Sequence, residues 1–299
     1  MPPHSSDHTK GLVITAIGGL VLTVDIPLIR LADGEPWSIL LLRCGATVAA
    51  TLLIWTVWRL AGGRPPALVP GKPGLAVAGL YAVSTLAFMT AVYTTSTANL
   101  VFILAFNTMF AALLSWIFLK ERPRPATLIA MALMMVGVLI IVGDGISSGN
   151  LFGDLMALSS AFFIACAITV TRASGEEMGF TALIAVVVPF LVALAMVGQV
   201  GFAVEAPWWI LFNGAVVMPI AFFCLATGPR YISGPEVAMF YLLETVLAPV
   251  WVWLIFSEVP SPASTIGGSI LIVTLVGHSL WQFQSGRRRR AAAAVRHPA

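Results

Sequence analysis

The sequence predicts an all-α membrane protein with ten transmembrane helices, arranged as two inverted five-helix repeats with both termini in the cytoplasm. Three observations predict it: a composition no soluble surface can have, long runs free of charge, and a similarity of the chain to itself. Of the 299 residues, 59% are apolar and 10% charged, where a soluble domain carries about 25% charged residues. The mean hydropathy of +0.96 agrees. The segments 96–119, 126–143 and 259–286 contain no Asp, Glu, Lys or Arg, and each exceeds or approaches the ~20 residues that cross a bilayer core. Backbone groups in hydrocarbon must be satisfied within the segment, so such runs are helices; the alternation expected of a membrane barrel is absent.

Glycine, proline and charge divide the chain into spans at 11–31, 36–58, 73–95, 97–119, 126–143, 152–172, 180–202, 208–228, 235–257 and 263–284. The first continues well past the length of a cleavable signal and reads as a span. It carries Asp25 and Pro27, and the proline removes an amide donor and crowds the Thr23 carbonyl, which predicts a bend there. The second span carries Arg43 and the third Tyr81. Residues 1–143 form the first repeat, 144–151 an extracytoplasmic linker, 152–284 the second repeat, and 285–299 a basic cytoplasmic tail whose Ala-rich end, Ala291 to Ala299, is expected to be unstructured.

Charge sets the orientation. With the N-terminus inside, the cytoplasmic segments hold Lys10, Arg59, Arg64, Lys72, Lys120, Arg122, Arg124, Arg172, Arg230, Arg287 to Arg290 and Arg296, fourteen of the 16 basic residues. Arg30 is left outside and Arg43 within a span, a bias that places both termini in the cytoplasm of an inner-membrane protein. The Arg287 to Arg290 run reads as an orientation signal meeting anionic lipid headgroups; no reader motif for nucleic acid accompanies it. Trp37, Trp58, Trp208, Trp209 and Trp281 fall near span ends, as interface anchors do. Cys44, Cys166 and Cys224 lack metal-ligand spacing and read as small core residues.

Shifting the chain on itself by 137 residues aligns Ser96 with Ser233, Thr108 with Thr245, Trp116 with Trp253, Glu121 with Glu258 and Pro123 with Pro260. A shift of 142 aligns Gly11 with Gly153 and Arg30 with Arg172. Halves of five helices each must lie upside down relative to one another, and the charges agree: the turn after the fourth span holds Lys120, Arg122 and Arg124, while its counterpart near Glu258 has no basic residue. Inverted repeats are the architecture of many secondary transporters, with a site near the midplane.

Ionisable residues at depth need a partner, water or a function. Glu244 lies near the middle of the ninth span, and the 137-residue shift maps it onto Asn107 in the fourth. These two pseudo-symmetric polar groups are the leading candidates for a substrate site. Phe240, Glu244 and Trp251 share a helix face by spacing, which could set a carboxylate between aromatic walls for an amine-bearing solute. Tyr81 is a further candidate at similar depth. Asp25 and Arg43 sit at matching depth and are expected to pair, as a gate or as a static bridge. His278 stands alone, as a relay or a hydrogen-bonded structural residue.

The segments from Phe106 to Glu121 and from Leu243 to Glu258, each an apolar helix running to a Glu, then a Pro-containing turn, then a Gly-rich apolar helix, resemble the duplicated signature of EamA-type permeases of the drug/metabolite transporter superfamily. The resemblance covers essentially the whole chain. It implies an inner-membrane carrier, of a family whose members are often exporters of amino acids or related metabolites; no cofactor or metal is expected, and lipid and a small-molecule substrate are the expected partners. Thr108 and Thr245 stand where many members carry a proline, so no proline-driven break is expected there. Proton coupling through Glu244 is an additional expectation. An intramembrane enzyme would need a nucleophile and base or clustered metal ligands, and neither pattern occurs; a passive channel or lipid flippase shares the fold features. Monomer and homodimer are both open, since Gly267-Gly268 permits close packing within one chain or between two.

Overall fold

A computed structural model describes residues 5–120, 122–176, 178–227 and 234–296. These residues are helical apart from short connections and one isolated antiparallel bridge, Gly34 with Val204. In chain order the helices are α1 (Ser5–Leu22 and Asp25–Leu31), α2 (Pro36–Leu60), α3 (Gly71–Thr94), α4 (Thr97–Leu104 and Asn107–Leu119), α5 (Pro125–Ser148) and α6 (Leu151–Ser174). They continue with α7 (Gly179–Ile184 and Val187–Val200), α8 (Pro207–Phe212, a π-turn Asn213–Val217, and Met218–Thr227), α9 (Gly234–Phe256) and α10 (Pro262–Arg296). Among the described residues, nine are long and apolar enough to cross a membrane; of α9 the apolar stretch Leu243–Phe256 is described in this respect. The surface is lipid-like, with Leu75 69%, Phe118 70% and Val273 71% exposed, so this is a multi-pass membrane protein.

Two boundaries differ from the sequence reading. The expected linker 144–151 is mostly helix: α5 runs to Ser148 and stops at Gly149, whose φ of 80° suits the left-handed C-cap only glycine adopts freely. Gly143 and Gly145 do not break it. At the C-terminus α10 continues to Arg296, although Ala291 to Ala299 were expected to be unstructured. Alanine and arginine are strong helix formers, and an existing helix extends at no nucleation cost.

Three helices break in mid-span. In α1 the break falls at Thr23–Val24, where Pro27 cannot donate to the Thr23 carbonyl; in α7 it falls at Ala185–Val186, with Pro189 placed the same way. In α4 the break at Ala105–Phe106 has no proline. Instead the Thr108 hydroxyl donates to the Ala105 carbonyl at 3.1 Å, and the Met109 amide turns to Phe106 at 2.9 Å. A hydroxyl competing for the backbone thus bends a helix in which no proline-driven break was expected. Thr245, the counterpart, sits in an unbroken α9.

The helices pack across the halves in exchangeable pairs. α3 lies on α6 as α8 lies on α1, α4 lies on α6 as α9 lies on α1, and α2–α7, α4–α9 and α5–α10 pair directly. Glycines allow the closest approaches. A Cβ on Gly267 would meet the Gly137 carbonyl at 2.6 Å, so the Gly267 position serves packing of α10 on α5 within one chain.

The connections after α1, α3, α5, α7 and α9 gather at one end, here the distal end, away from the chain termini. Arg30 and Thr97 both contact Glu258 there, Asp144 bonds Ser261, and the bridge joins Gly34 to Val204. At the terminal end, Thr181 donates to the Leu68 carbonyl at 3.0 Å, Arg172 donates to Ser115 at 2.9 Å, and Thr127 bonds His278 at 3.0 Å. The turn after α4 and the turn after α9 therefore lie at opposite ends. Glu121, in the first of them, is outside the described residues, as are Arg230 and Ser233.

Candidate functional site

The α1 break opens the chain next to Asp25, which begins the second half of the helix with its side chain buried. Arg43, on α2, lies against it. The Arg43 Nη2 donates to both carboxylate oxygens at 2.9 Å, with both side chains 6% exposed. Matching depth in the sequence predicts this partnership; it does not predict the third member. Asn213, fully buried on α8, accepts from Arg43 Nε at 3.1 Å and donates to Asp25 Oδ1 at 2.7 Å and to its main-chain carbonyl at 3.2 Å.

The local fold of α8 explains how Asn213 reaches. It opens the π-turn, and a widened turn of this kind re-aims side chains at functional positions. The next residue, Gly214, lies so close to the Arg43 backbone that a Cβ would collide with its carbonyl and approach Ala46 Cβ at 2.9 Å. A buried guanidinium and carboxylate are tolerated because their polar atoms are satisfied in this way. Phe88 of α3 completes the enclosure, its ring 5.6 Å from the guanidinium carbon.

Glu244 sits in mid-α9, within electrostatic reach of both Asp25 and Arg43. Its side chain is half-buried. None of the described hydrogen bonds involves it. The same face of α9 is held against α1 at two points: the Trp251 indole donates to the Thr23 hydroxyl at 3.1 Å, and the Phe240 main chain packs where a Cβ on Gly19 would fall. Trp251 thus meets α1 at its break and the Phe240 main chain meets it one turn earlier, while Asp25, Arg43 and Asn213 join α1, α2 and α8 in one polar centre.

The other sequence candidates lie elsewhere. Asn107 is the first residue after the α4 break, half-buried, with no described hydrogen bond and no described contact with Glu244. The segment before the break packs on α9, and the segment from Asn107 onward packs on α6, so α4 diverges from α9 at this point. Tyr81 is also half-buried, but packs with Val77, Ala167 and Met178 between α3 and α6. His278 bonds Thr127 and stacks on Trp281 at 6.0 Å.

A second polar cluster also escapes the sequence reading. Asp154, fully buried in the first turn of α6, accepts from Thr95 at 2.5 Å and from the Asn99 amide at 3.1 Å, while Ser264 of α10 donates to Asn99. Asp154 lies two residues inside the predicted start of its span, where an acid reads as interfacial, and Asn213 carries no charge. The usable signal was polarity inside an apolar run, whatever its charge.

Comparisons with known proteins agree with this architecture. Residues 9–143 match the EamA-like transporter family. The "Riboflavin transporter" of Vibrio cholerae is 24% identical over 189 residues, 62% of this chain and 63% of its own length. The "Pseudopaline exporter CntI" of Pseudomonas aeruginosa is 25% identical over 240 residues, 77% of this chain and 82% of its own. The "Uncharacterized transporter YdfC" of Bacillus subtilis is 24% identical over 172 residues, 55% of this chain and 56% of its own. The first and last matches therefore span under two thirds of those relatives. A solved crystal structure superposes with a TM-score of 0.65 at 15% identity, covering 92% of this chain and 98% of that one, which shows a shared fold.

Proposed function

We infer that this protein, a member of the EamA-like transporter family by its residues 9–143, carries a small amine-bearing metabolite such as an amino acid across the inner membrane by alternating access. Ten spans in two oppositely oriented halves, with cytoplasmic termini, make the frame. Three facts support it: the helix pairings exchange between halves, the turns after α4 and α9 lie at opposite ends, and basic residues gather at the terminal end.

The observation that carries the substrate class is Glu244. A half-buried carboxyl that makes no described hydrogen bond and lies within electrostatic reach of an already paired Asp25 and Arg43 leaves acceptor capacity for a cationic group. Phe240 and Trp251 supply aromatic faces for the same charge. Arg43 keeps Nη1 outside the described hydrogen bonds, so a substrate carboxylate has a donor within the cluster. In this reading Asn107, at the α4 break, meets substrate when α4 moves against α9, whereas Tyr81, packed between α3 and α6, stays outside the site in the conformation described.

Export is the favoured direction, because a relative covering most of both chains is named as an exporter. A proton on Glu244 would couple transport to the proton gradient. The test is flux into proteoliposomes from a panel of labelled amino acids, purines and cationic drugs. Uptake is expected to be saturable, stimulated by counter-flow and strongest for amine-bearing solutes; linear, unsaturable flux would point to a channel.

A further inference from the structure

We propose that Glu258 is the latch of an extracytoplasmic gate, holding the distal ends of the two halves together and releasing them when the cavity opens outward. This rests on the alternating-access reading. Glu258 belongs to the turn after α9, in the second half, and both of its partners belong to the first. One carboxylate oxygen accepts from Arg30 in the last turn of α1, and the other accepts the Thr97 amide at the start of α4 at 2.9 Å. A single side chain thus ties three elements across the division between halves.

Beside it lies a backbone clasp. Glu205 N–H donates to the Asp33 carbonyl at 2.8 Å, Ala206 N–H to Ala32 at 2.9 Å and Glu35 N–H to Ala203 at 2.9 Å, joining the α1–α2 connection to the α7–α8 connection. The clasp needs left-handed backbone at Asp33 (φ 40°) and Gly34 (φ 152°), and a Cβ on Gly34 would meet Val204 Cα at 2.8 Å. No such bridge occurs among the described residues at the terminal end.

Two properties suit a latch rather than a permanent bolt. Arg30 and Glu258 keep 24% of their side-chain surface exposed, so water can replace the pair at modest cost. The Thr97 hydroxyl, next to the Glu258 contact, is buried without a hydrogen-bond partner among the described residues. A buried unsatisfied group disfavours the closed arrangement and is relieved when this end meets water. The deeper Asp25–Arg43–Asn213 cluster has neither property.

The experiment uses the full chain with Cys44, Cys166 and Cys224 replaced by alanine and a reporter at Asn107→Cys. A membrane-impermeant maleimide is applied to the outer face of right-side-out vesicles and, separately, to the inner face of inverted ones. Glu258→Gln and Arg30→Gln are each expected to raise outer-face labelling about two- to fivefold, and the exchange Arg30→Glu/Glu258→Arg to bring it back toward the starting rate. Equal outer labelling in all variants, or a charge exchange as fast as the single changes, overturns the latch while leaving the transport reading intact if the reporter is labelled from inside. A reporter unlabelled from both faces in every variant overturns both.

Discussion

Replacing Asp25 with leucine is expected to destabilise the folded protein by about 3–5 kcal/mol and to abolish transport. The change leaves a guanidinium on a residue 5% exposed, with Asn213 and the Met218 sulfur as its remaining described hydrogen-bond partners, and an uncompensated buried charge costs on that order. Arg43→Met is expected to do the same by stranding the carboxylate. The informative variant is the double, Asp25→Leu/Arg43→Met. Because desolvating both charges offsets much of their attraction, removing them together should recover most of the stability lost by either alone. It should not recover flux, since the polar centre is gone. Thermal unfolding in detergent, paired with proteoliposome flux, checks this; a double change as damaging as the sum of the singles would contradict the assignment of a coupled pair.

Glu244→Gln is expected to separate binding from coupling. The substitution keeps size and hydrogen-bonding capacity but removes charge and proton. A charge-assisted bond to a substrate ammonium contributes about 1.5–3 kcal/mol, so apparent affinity for amine-bearing solutes should fall about ten- to hundredfold. Counter-flow exchange should persist at high substrate, while accumulation driven by an imposed pH gradient disappears. Flux whose pH dependence matches that of the wild type would remove Glu244 from the coupling role, and unchanged affinity would remove it from the site.

The frame was far more legible in the sequence than the site. Helix ends at Pro36, Pro125, Pro207 and Pro262 fall within a residue or two of the predicted spans because proline, glycine and charge end apolar runs for local steric and solvation reasons. The α1 break followed from Pro27 alone. The α4 break did not, because a threonine hydroxyl can bond its own helix, as Thr108 does, or another element, as Thr95 and Thr127 do, and only the folded geometry decides. The π-turn at Asn213 left no sequence signal apart from Gly214. The Asp25–Arg43 contact was readable from depth, since two opposite charges in hydrocarbon have few alternatives. Which faces of α3 and α4 carry Tyr81 and Asn107 was not readable: rotation about the helix axis depends on packing partners, and α4 changes partner at its break.

A central cavity served by alternating access requires that the first five helices and the last five enter the bilayer with opposite sense. Single cysteines at Arg122→Cys, after α4, and Val259→Cys, after α9, probed with an impermeant thiol reagent in intact cells and in inverted vesicles, address this directly. Reaction of the 259 position from outside and of the 122 position from the cytoplasmic face alone is the result expected; reaction of both from one face would contradict it.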